Sequence, residues 1–353
     1  MSADLDVVVV GARVAGTLTA WRLAREGARV VVLDAAAFPS DTMSTHFFRG
    51  DGLVRSIDEM GVLDEVLSSG APPLRAELSY ADGAQEGVVD GPQEPGDIGF
   101  GLSVRRRTLD AILADHVARL PDVTLRTRTR VTDLVRKDSR VVGVVLDDGT
   151  RLGADLVVGA DGRRSVVAAR AGAGVVEQHG AARVMYFQYV SGWTSPEGGP
   201  PSMPEFSTLD DELAYVFPSD HQVSCVALSL NVAMWSTSSA RRREDFRSHL
   251  RLHAGIWSRL ERCEWLGRLV ASSPRESVVH DAAGPGWALV GDAGTHQDPW
   301  TGFGMDTAAR QAKALASSLD HDDWPEAYRH ARDEVTMEHF HYTVTVAPDL
   351  RNG

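Results

Sequence analysis

Leu5-Asp6-Val7-Val8-Val9-Val10-Gly11-Ala12-Arg13-Val14-Ala15-Gly16 is the stretch whose reading decides the fold. Leu5 to Val10 is a nearly continuous β-branched run, the pattern of a parallel strand covered on both faces. The glycines then open a helix with Leu18, Trp21, Leu23 and Ala24 on its apolar side. Gly27 ends that helix as a C-cap would, and Ala28 to Leu33 reads as a second buried strand closing on Asp34. Together they form a βαβ unit of about 30 residues, the context a dinucleotide fingerprint requires. Gly11 permits the tight turn and Gly16 the close helix–strand packing. The helix start, Arg13 to Gly16 with Val14 and Ala15 between, offers N–H groups and a positive dipole end to a diphosphate. Asp34 would accept from ribose hydroxyls. Arg13 stands where the fingerprint has its second glycine, so this motif alone also fits an ordinary Gly-rich βα turn.

Two further signatures follow in fixed order. Gly159-Ala160-Asp161-Gly162 succeeds the buried run Leu156-Val157-Val158 and precedes Arg163-Arg164-Ser165. Gly291-Asp292 succeeds Ala288-Leu289-Val290 and leads to Pro299 and Gly302-Phe303-Gly304-Met305. An Asp-Gly pair is usually only a turn, and Asp147-Asp148-Gly149 reads as a hairpin signal. In order and together, the three signatures describe contacts along one long, bent dinucleotide, for which FAD is the candidate.

Between them the chain changes character. Leu53 to Leu67 is helix-like, residues 81–101 read as an acidic, Gly- and Pro-rich exposed excursion, and Arg105 to Leu120 returns to helical spacing. Val184 to Val190, Leu213 to Phe217 and Val223 to Leu230 read as antiparallel strands, with Pro218-Ser219-Asp220-His221 as a turn. Arg241 to Leu269 reads as helical. These spans predict an α/β fold: a discontinuous Rossmann-like FAD-binding domain (1–75, 102–176, 277–320) with an interleaved antiparallel-sheet substrate domain (76–101, 177–276) and a helical segment at 321–353.

At 353 residues the chain is long enough for two joined domains and a cofactor-sized pocket. A net charge of -13 argues against nucleic acid or an anionic membrane as partner. With Cys225 and Cys263 the only cysteines, no disulfide framework or thiolate metal cluster is expected, and a reducing cytoplasm is the default. No secretory leader fits Met1 to Asp4, and no apolar run reaches the length of a membrane span. Glu338, His339 and His341 lack a third well-spaced ligand, so no metal is expected. The sequence leaves the oligomeric state open.

The combination of Gly11 to Gly16, Asp161-Gly162 and Gly291 to Met305 resembles the single-component FAD-dependent monooxygenases related to p-hydroxybenzoate hydroxylase, along nearly the whole chain. That resemblance implies that Asp292 accepts from a ribityl hydroxyl while Gly291 leaves room for the cofactor. It places Gly302, Gly304 and Met305 at a helix start facing the flavin pyrimidine edge, and Pro299 beside the oxidation site. Arg105 falls where similar enzymes contact flavin, and Val131 where a backbone group meets adenine. Met43-Ser44-Thr45-His46 resembles the segment beside the isoalloxazine, with Ser44 a donor to a ring nitrogen. For His46, acid/base chemistry or covalent flavin attachment stands against simple structural packing, which weighs more.

The resemblance also implies NAD(P)H as reductant, dioxygen as cosubstrate and a flavin C4a-(hydro)peroxide that oxygenates a small organic, natural-product-like substrate. Tyr186, Gln188, Tyr215, Phe217, Trp300 and Phe303 are the candidate substrate contacts. Tyr186 shares a strand face with Gln188, and Tyr215 with Phe217. Sheet packing explains such alternation equally well. A geranylgeranyl-reductase-type oxidoreductase is the alternative, prompted by Met43 to His46 and Asp298-Pro299, and a flavin-retaining cyclase or binding protein is a third reading. Neither a Trp-x-Trp-x-Ile-Pro motif nor a suitable lysine supports a halogenase.

Overall fold

The structure, a computed structural model, describes residues 5–44, 46–81, 84–90 and 98–352. Asp6–Val10 lies at the centre of a six-stranded sheet, pairing in parallel with Arg29–Leu33 on one side and Leu156–Gly159 on the other. Trp287–Leu289 adds beside Leu156–Gly159, and Val123–Arg126 beside Arg29–Leu33. All three glycine-and-acid signatures therefore leave the carboxyl ends of neighbouring parallel strands, where an α/β sheet holds its ligand. Val7 and Val9 pack under the helices Val14–Arg25, Arg106–Ala118 and Gly304–Ser318, while Val8 and Val10 face a small antiparallel sheet carrying Val131, Val141 and Val144. Burial on both faces explains the unbroken valine run.

A second, seven-stranded sheet has the order 264–272, 183–191, 223–231, 212–218, 205–209, 76–81, 84–90 and is antiparallel except between 205–209 and 76–81. Its outer face packs against Phe246, Leu250, Ile256 and Leu260 from the helices Ser239–Leu252 and Ala254–Leu260. Its inner face carries Met185, Phe187, Tyr215 and Phe217 against Phe47 and Trp300, so it meets the nucleotide-binding module. The fold is thus α/β, a Rossmann-like FAD-binding module with an interleaved antiparallel sheet.

Two spans differ from the sequence reading. The helix expected over Arg241 to Leu269 ends at Leu260, and Glu264–Ser272 is the edge strand of the large sheet. Apolar residues at 265, 266, 269 and 270 suit either period, and pairing with residues 185–191 decides the outcome. The excursion expected at 81–101 contains the strand Ala84–Asp90; its residues 82–83 and 91–97 lie outside the described residues. Asp147-Asp148-Gly149 does form a turn, between Arg140–Leu146 and Arg151–Gly153.

Candidate active site

A groove of about 610 Å³ runs along the carboxyl edge of the parallel sheet, and it touches all three signatures. Gly11 has a φ of +105°, and a Cβ there would strike the Ala160 carbonyl. A Cβ on Gly16 would strike the Gly11 carbonyl, so only glycine lets the turn and the helix close up. The helix start at residues 13–16 opens into this groove without a side-chain cap, leaving its first N–H groups for a ligand. Asp34 serves the loop as well as the ligand. Its Oδ2 accepts from Ala12 N at 2.7 Å and its Oδ1 from Ala36 N at 2.7 Å, with lone pairs left for a ribose. Val131, Thr129 and Arg130 line this same end.

Arg13, the irregular member of the fingerprint, also lines the groove. Its guanidinium pairs with buried Asp110 at 2.5 Å, and the same carboxylate accepts from Arg106 at 2.9 and 3.0 Å. Asp110 thereby fixes two guanidinium groups at the phosphate-binding stretch. Arg106, absent from the sequence reading, lines the groove, whereas Arg105 turns away. The Arg105 side chain donates to Asp220 at 3.0 and 3.1 Å and its backbone N–H does so at 2.8 Å. Thr108 adds a 2.7 Å bond to Asp220. Burial alone would raise the Asp220 carboxyl, but Arg105 and Thr108 hold it far below the usual carboxylate range. Arg105 is the non-helical cap residue and Arg106 the first helical one, and that turn of the backbone separates these two neighbouring arginines where residue type alone does not.

Asp161 lines the groove while its side chain accepts from Ser165 Oγ at 2.6 Å and Val166 N at 2.7 Å, capping the helix Val166–Ala171. Burial raises its pKa against those bonds. Asp292 stands in the groove wall with 46% of its side chain exposed to the open space, 3.3 Å from His296. Packing around it opposes ionisation, yet His296, Arg163 and Arg106 hold the carboxyl below its usual range. Asp292 therefore offers an ionised acceptor. Gly291, at a φ of +64°, lies against Ala15, which brings the first and third signatures into contact.

The far end of the groove is lined by Met43, Ser44, Met185, Gln297, Asp298, Pro299, Gly302, Gly304 and Met305. Ser44 Oγ lies 3.8 Å from Met305 Sδ, so the segment near residue 44 meets the start of the helix Gly304–Ser318. Gln297 is buried, yet both its amide N and its amide O lack a partner. A buried primary amide with two unmet hydrogen bonds in a groove wall fits a ligand that offers an adjacent donor and acceptor, as the pyrimidine edge of a flavin does. Asp298 accepts from Arg183 N and Trp300 N, each at 3.2 Å, and burial raises its pKa.

His46 sits beyond this wall, fully buried at a φ of +69°. Its Nε2 is 2.7 Å from the Tyr189 hydroxyl and its Nδ1 is 3.6 Å from Cys225 Sγ. Thr45, beside it, lies outside the described residues. Among the substrate candidates, Tyr215 and Phe217 lie on the inner face, and the Tyr215 hydroxyl donates to the Trp300 carbonyl. Tyr186 and Gln188 lie on the opposite face: Tyr186 packs near Trp235 and Phe246, and Gln188 bonds the Gly267 carbonyl at 3.0 Å. Their neighbours Met185, Phe187 and Tyr189 face inward instead. The Trp300 ring reaches Tyr342 and its Nε1 the Thr343 carbonyl, while Phe303 packs on His339 at 4.2 Å. His341 bonds Glu177 at 3.1 Å, and the described residues contain no group of three side chains suited to a metal.

Glycine-shaped walls, a helix start, paired guanidinium groups and an unmet buried amide along one bent groove fit an FAD, and the chain is a flavoprotein oxidoreductase. Residues 4–332 match the family model described as FAD binding domain, and the chain belongs to that family. It is 29% identical over 366 residues to Menaquinone reductase of Mycolicibacterium smegmatis, an alignment covering 99% of this chain and 84% of that one. It is 34% identical over 167 residues to Rifampicin monooxygenase of Rhodococcus hoagii, covering 46% of this chain and 32% of that one. The solved structure of PqsL, a probable FAD-dependent monooxygenase from Pseudomonas aeruginosa, superposes with a TM-score of 0.76 at 22% identity, covering 98% of this chain and 96% of that one. That last likeness is one of fold. No helix among the described residues is long and apolar enough to cross a membrane.

Proposed function

We propose that this flavoenzyme takes its electrons from NAD(P)H and oxygenates a small, largely apolar organic substrate with dioxygen. The observation that carries this reading is the far end of the groove, lined by Pro299, Met185 and Met43 together with Gln297 and its unmet amide. Bound FAD would accept hydride and activate dioxygen there. The protein would hold the diphosphate at Arg13 to Gly16 with Arg106, the ribityl chain at Asp292 and the pyrimidine edge at Gln297 and the start of the helix Gly304–Ser318. Arg163, Arg164 and Arg275 line the rim and suit the phosphates of a pyridine nucleotide. Phe187, Tyr215 and Phe217 form one buried apolar cluster with Met185 and Trp300, which would exclude water from the reacting end. Pro299 and the backbone beside it would shape the substrate's approach.

A second reading, reduction of a quinone-bearing substrate without oxygen incorporation, is favoured by two observations. The alignment with Menaquinone reductase runs nearly end to end. Asp298, whose pKa burial raises, lines the groove and would hold a proton that hydride delivery to an organic substrate requires. Substrate-stimulated NAD(P)H oxidation in isotopically labelled dioxygen separates the two. Label in the product supports the monooxygenase, and an unlabelled product formed equally well without oxygen overturns it in favour of the reductase.

A further inference from the structure

The outer face of the seven-stranded sheet carries a second cleft, of about 490 Å³, that neither reading uses. Arg242, Arg243, Arg247 and Arg268 form its walls, over an apolar floor that includes Phe246 and Leu269. Its origin is an irregularity in the edge strand. The register between 183–191 and 264–272 shifts between Phe187 and Tyr189, Gly267 adopts a φ of +62°, and Gln188 Nε2 donates to the carbonyls of Leu266 and Gly267. The helix Ser239–Leu252 supplies Arg242, Arg243 and Arg247 to its lining.

Four arginines line this one cleft on a chain whose net charge is -13. The helix's own acids are engaged elsewhere, since Asp245 and Glu244 both pair with Arg241, at 2.8 and 3.9 Å. Arg242 lies over Trp235 and donates to the Ser236 and Thr237 carbonyls, and Arg247 lies flat on Trp265, 3.3 Å from the ring centre. Stacking uses the faces of these groups and leaves N–H edges for an acceptor. Helix docking accounts for Arg242 and Arg247 on their tryptophans. It does not account for Arg243 and Arg268, exposed side chains that make no hydrogen bond or ion pair with any described residue.

We infer that this cleft is a binding site for a phosphate-bearing ligand, with the phosphate held among Arg243, Arg247 and Arg268 and an apolar portion resting on Phe246 and Leu269. Several guanidinium forks around one cleft match a multiply charged phosphate, whose oxygens accept paired N–H bonds, better than a single carboxylate. The global negative charge does not oppose this, because exposed charges farther than about 10 Å are largely screened at ordinary ionic strength. The ligand is either a soluble phosphate ester or the headgroup of an anionic lipid.

The test uses the FAD-loaded protein, so that the anion site of the cofactor groove is filled, and titrates inorganic phosphate by calorimetry. Saturable binding is expected, weakened roughly tenfold or more in the Arg243→Gln/Arg268→Gln double variant, whose altered side chains are exposed and leave folding and flavin content intact. Phosphate binding equal in the two proteins, or absent from both, overturns the inference. Repeating the titration with vesicles identifies the source. Displacement of phosphate by phosphatidylglycerol but not by phosphatidylcholine supports a lipid headgroup, and phosphate binding untouched by either supports a soluble ester.

Discussion

The cofactor groove and the inner face of the seven-stranded sheet meet at Pro299 and Trp300, but they are built by opposite means. The groove wall is drawn tight by missing side chains at Gly11, Gly16 and Gly291, where backbone and neighbouring atoms approach too closely for a Cβ, and is lined with backbone groups, carboxylates and guanidinium groups. The sheet face is filled: Phe47 stacks on Phe217 at 5.3 Å, Phe206 packs edge-on to Tyr215, and Tyr215 is tied to the Trp300 carbonyl. Backbone geometry thus recognises the cofactor, and side-chain volume shapes what approaches it. Substitutions on the sheet face can remodel the substrate space without touching the cofactor's grip, whereas almost none in the glycine loop can be neutral.

A buried carboxylate, Asp220, ties the sheet module to Arg105 at the head of the helix Arg106–Ala118, and removing it is expected to have the largest effect. Asp220→Ala leaves Arg105 unpaired between the modules and is expected to cost about 3–5 kcal/mol in denaturant unfolding; an unchanged midpoint would show that the latch is idle. Gly16→Ala forces a methyl against the Gly11 carbonyl. Up to about 3 kcal/mol, or roughly a hundredfold in FAD affinity, is expected to be lost in flavin-fluorescence titrations, with the aromatic face intact.

A smaller, pH-dependent effect belongs to the sheet alone. Burial opposes ionisation of Glu212, but His249 and His253 draw its pKa from 4.5 down to about 2. Because the folded value is the lower one, the stabilisation is complete above about pH 4.5 and is lost as pH falls toward 2. Its partner His249 is shifted upward, chiefly by the bond to Glu212, so that contribution is complete below 6.5 and fades as pH rises through the raised value. Thermal melts of Glu212→Gln should fall less steeply than wild type below pH 4.5; parallel curves would exclude the linkage.

The two sheet faces give the smallest contrast. Tyr215→Phe removes the bond to the Trp300 carbonyl and should cost about 1 kcal/mol, while Tyr186→Phe removes a buried hydroxyl that has no partner and should leave stability unchanged or raised. Equal losses at both positions would erase the distinction between the faces.

The same contrast explains what the amino-acid sequence discloses. Gly11, Gly16, Gly291 and the carboxylates after buried strands are legible because a backbone requirement admits few residue types. Period-2 alternation correctly paired Tyr186 with Gln188 and Tyr215 with Phe217, but alternation is silent about which face looks inward; Met185, one residue from Tyr186, is the groove residue. Arg105 and Arg106 are chemically identical, and only the turn of the backbone at the helix cap sends one to Asp220 and the other to the groove. Gln297 carries no local signal at all, since its importance lies in bonds that the folded protein leaves unmade.

Trp287–Leu289 pairs beside Leu156–Gly159, which in turn pairs with Asp6–Val10, so each of these neighbouring pairs is separated by well over a hundred positions in the chain, and the sheet is completed only by its last-made strands. At about 5–20 residues per second, a ribosome exposes the amino-terminal half of the groove many seconds before it makes the half containing Asp292 and Pro299. During translation the nascent chain can offer a nucleotide only its weaker, diphosphate-binding edge. Loading of the intact cofactor becomes a late event in biogenesis, and a truncated product lacking residues beyond 286 should leave the ribosome colourless however well its first βαβ unit is formed.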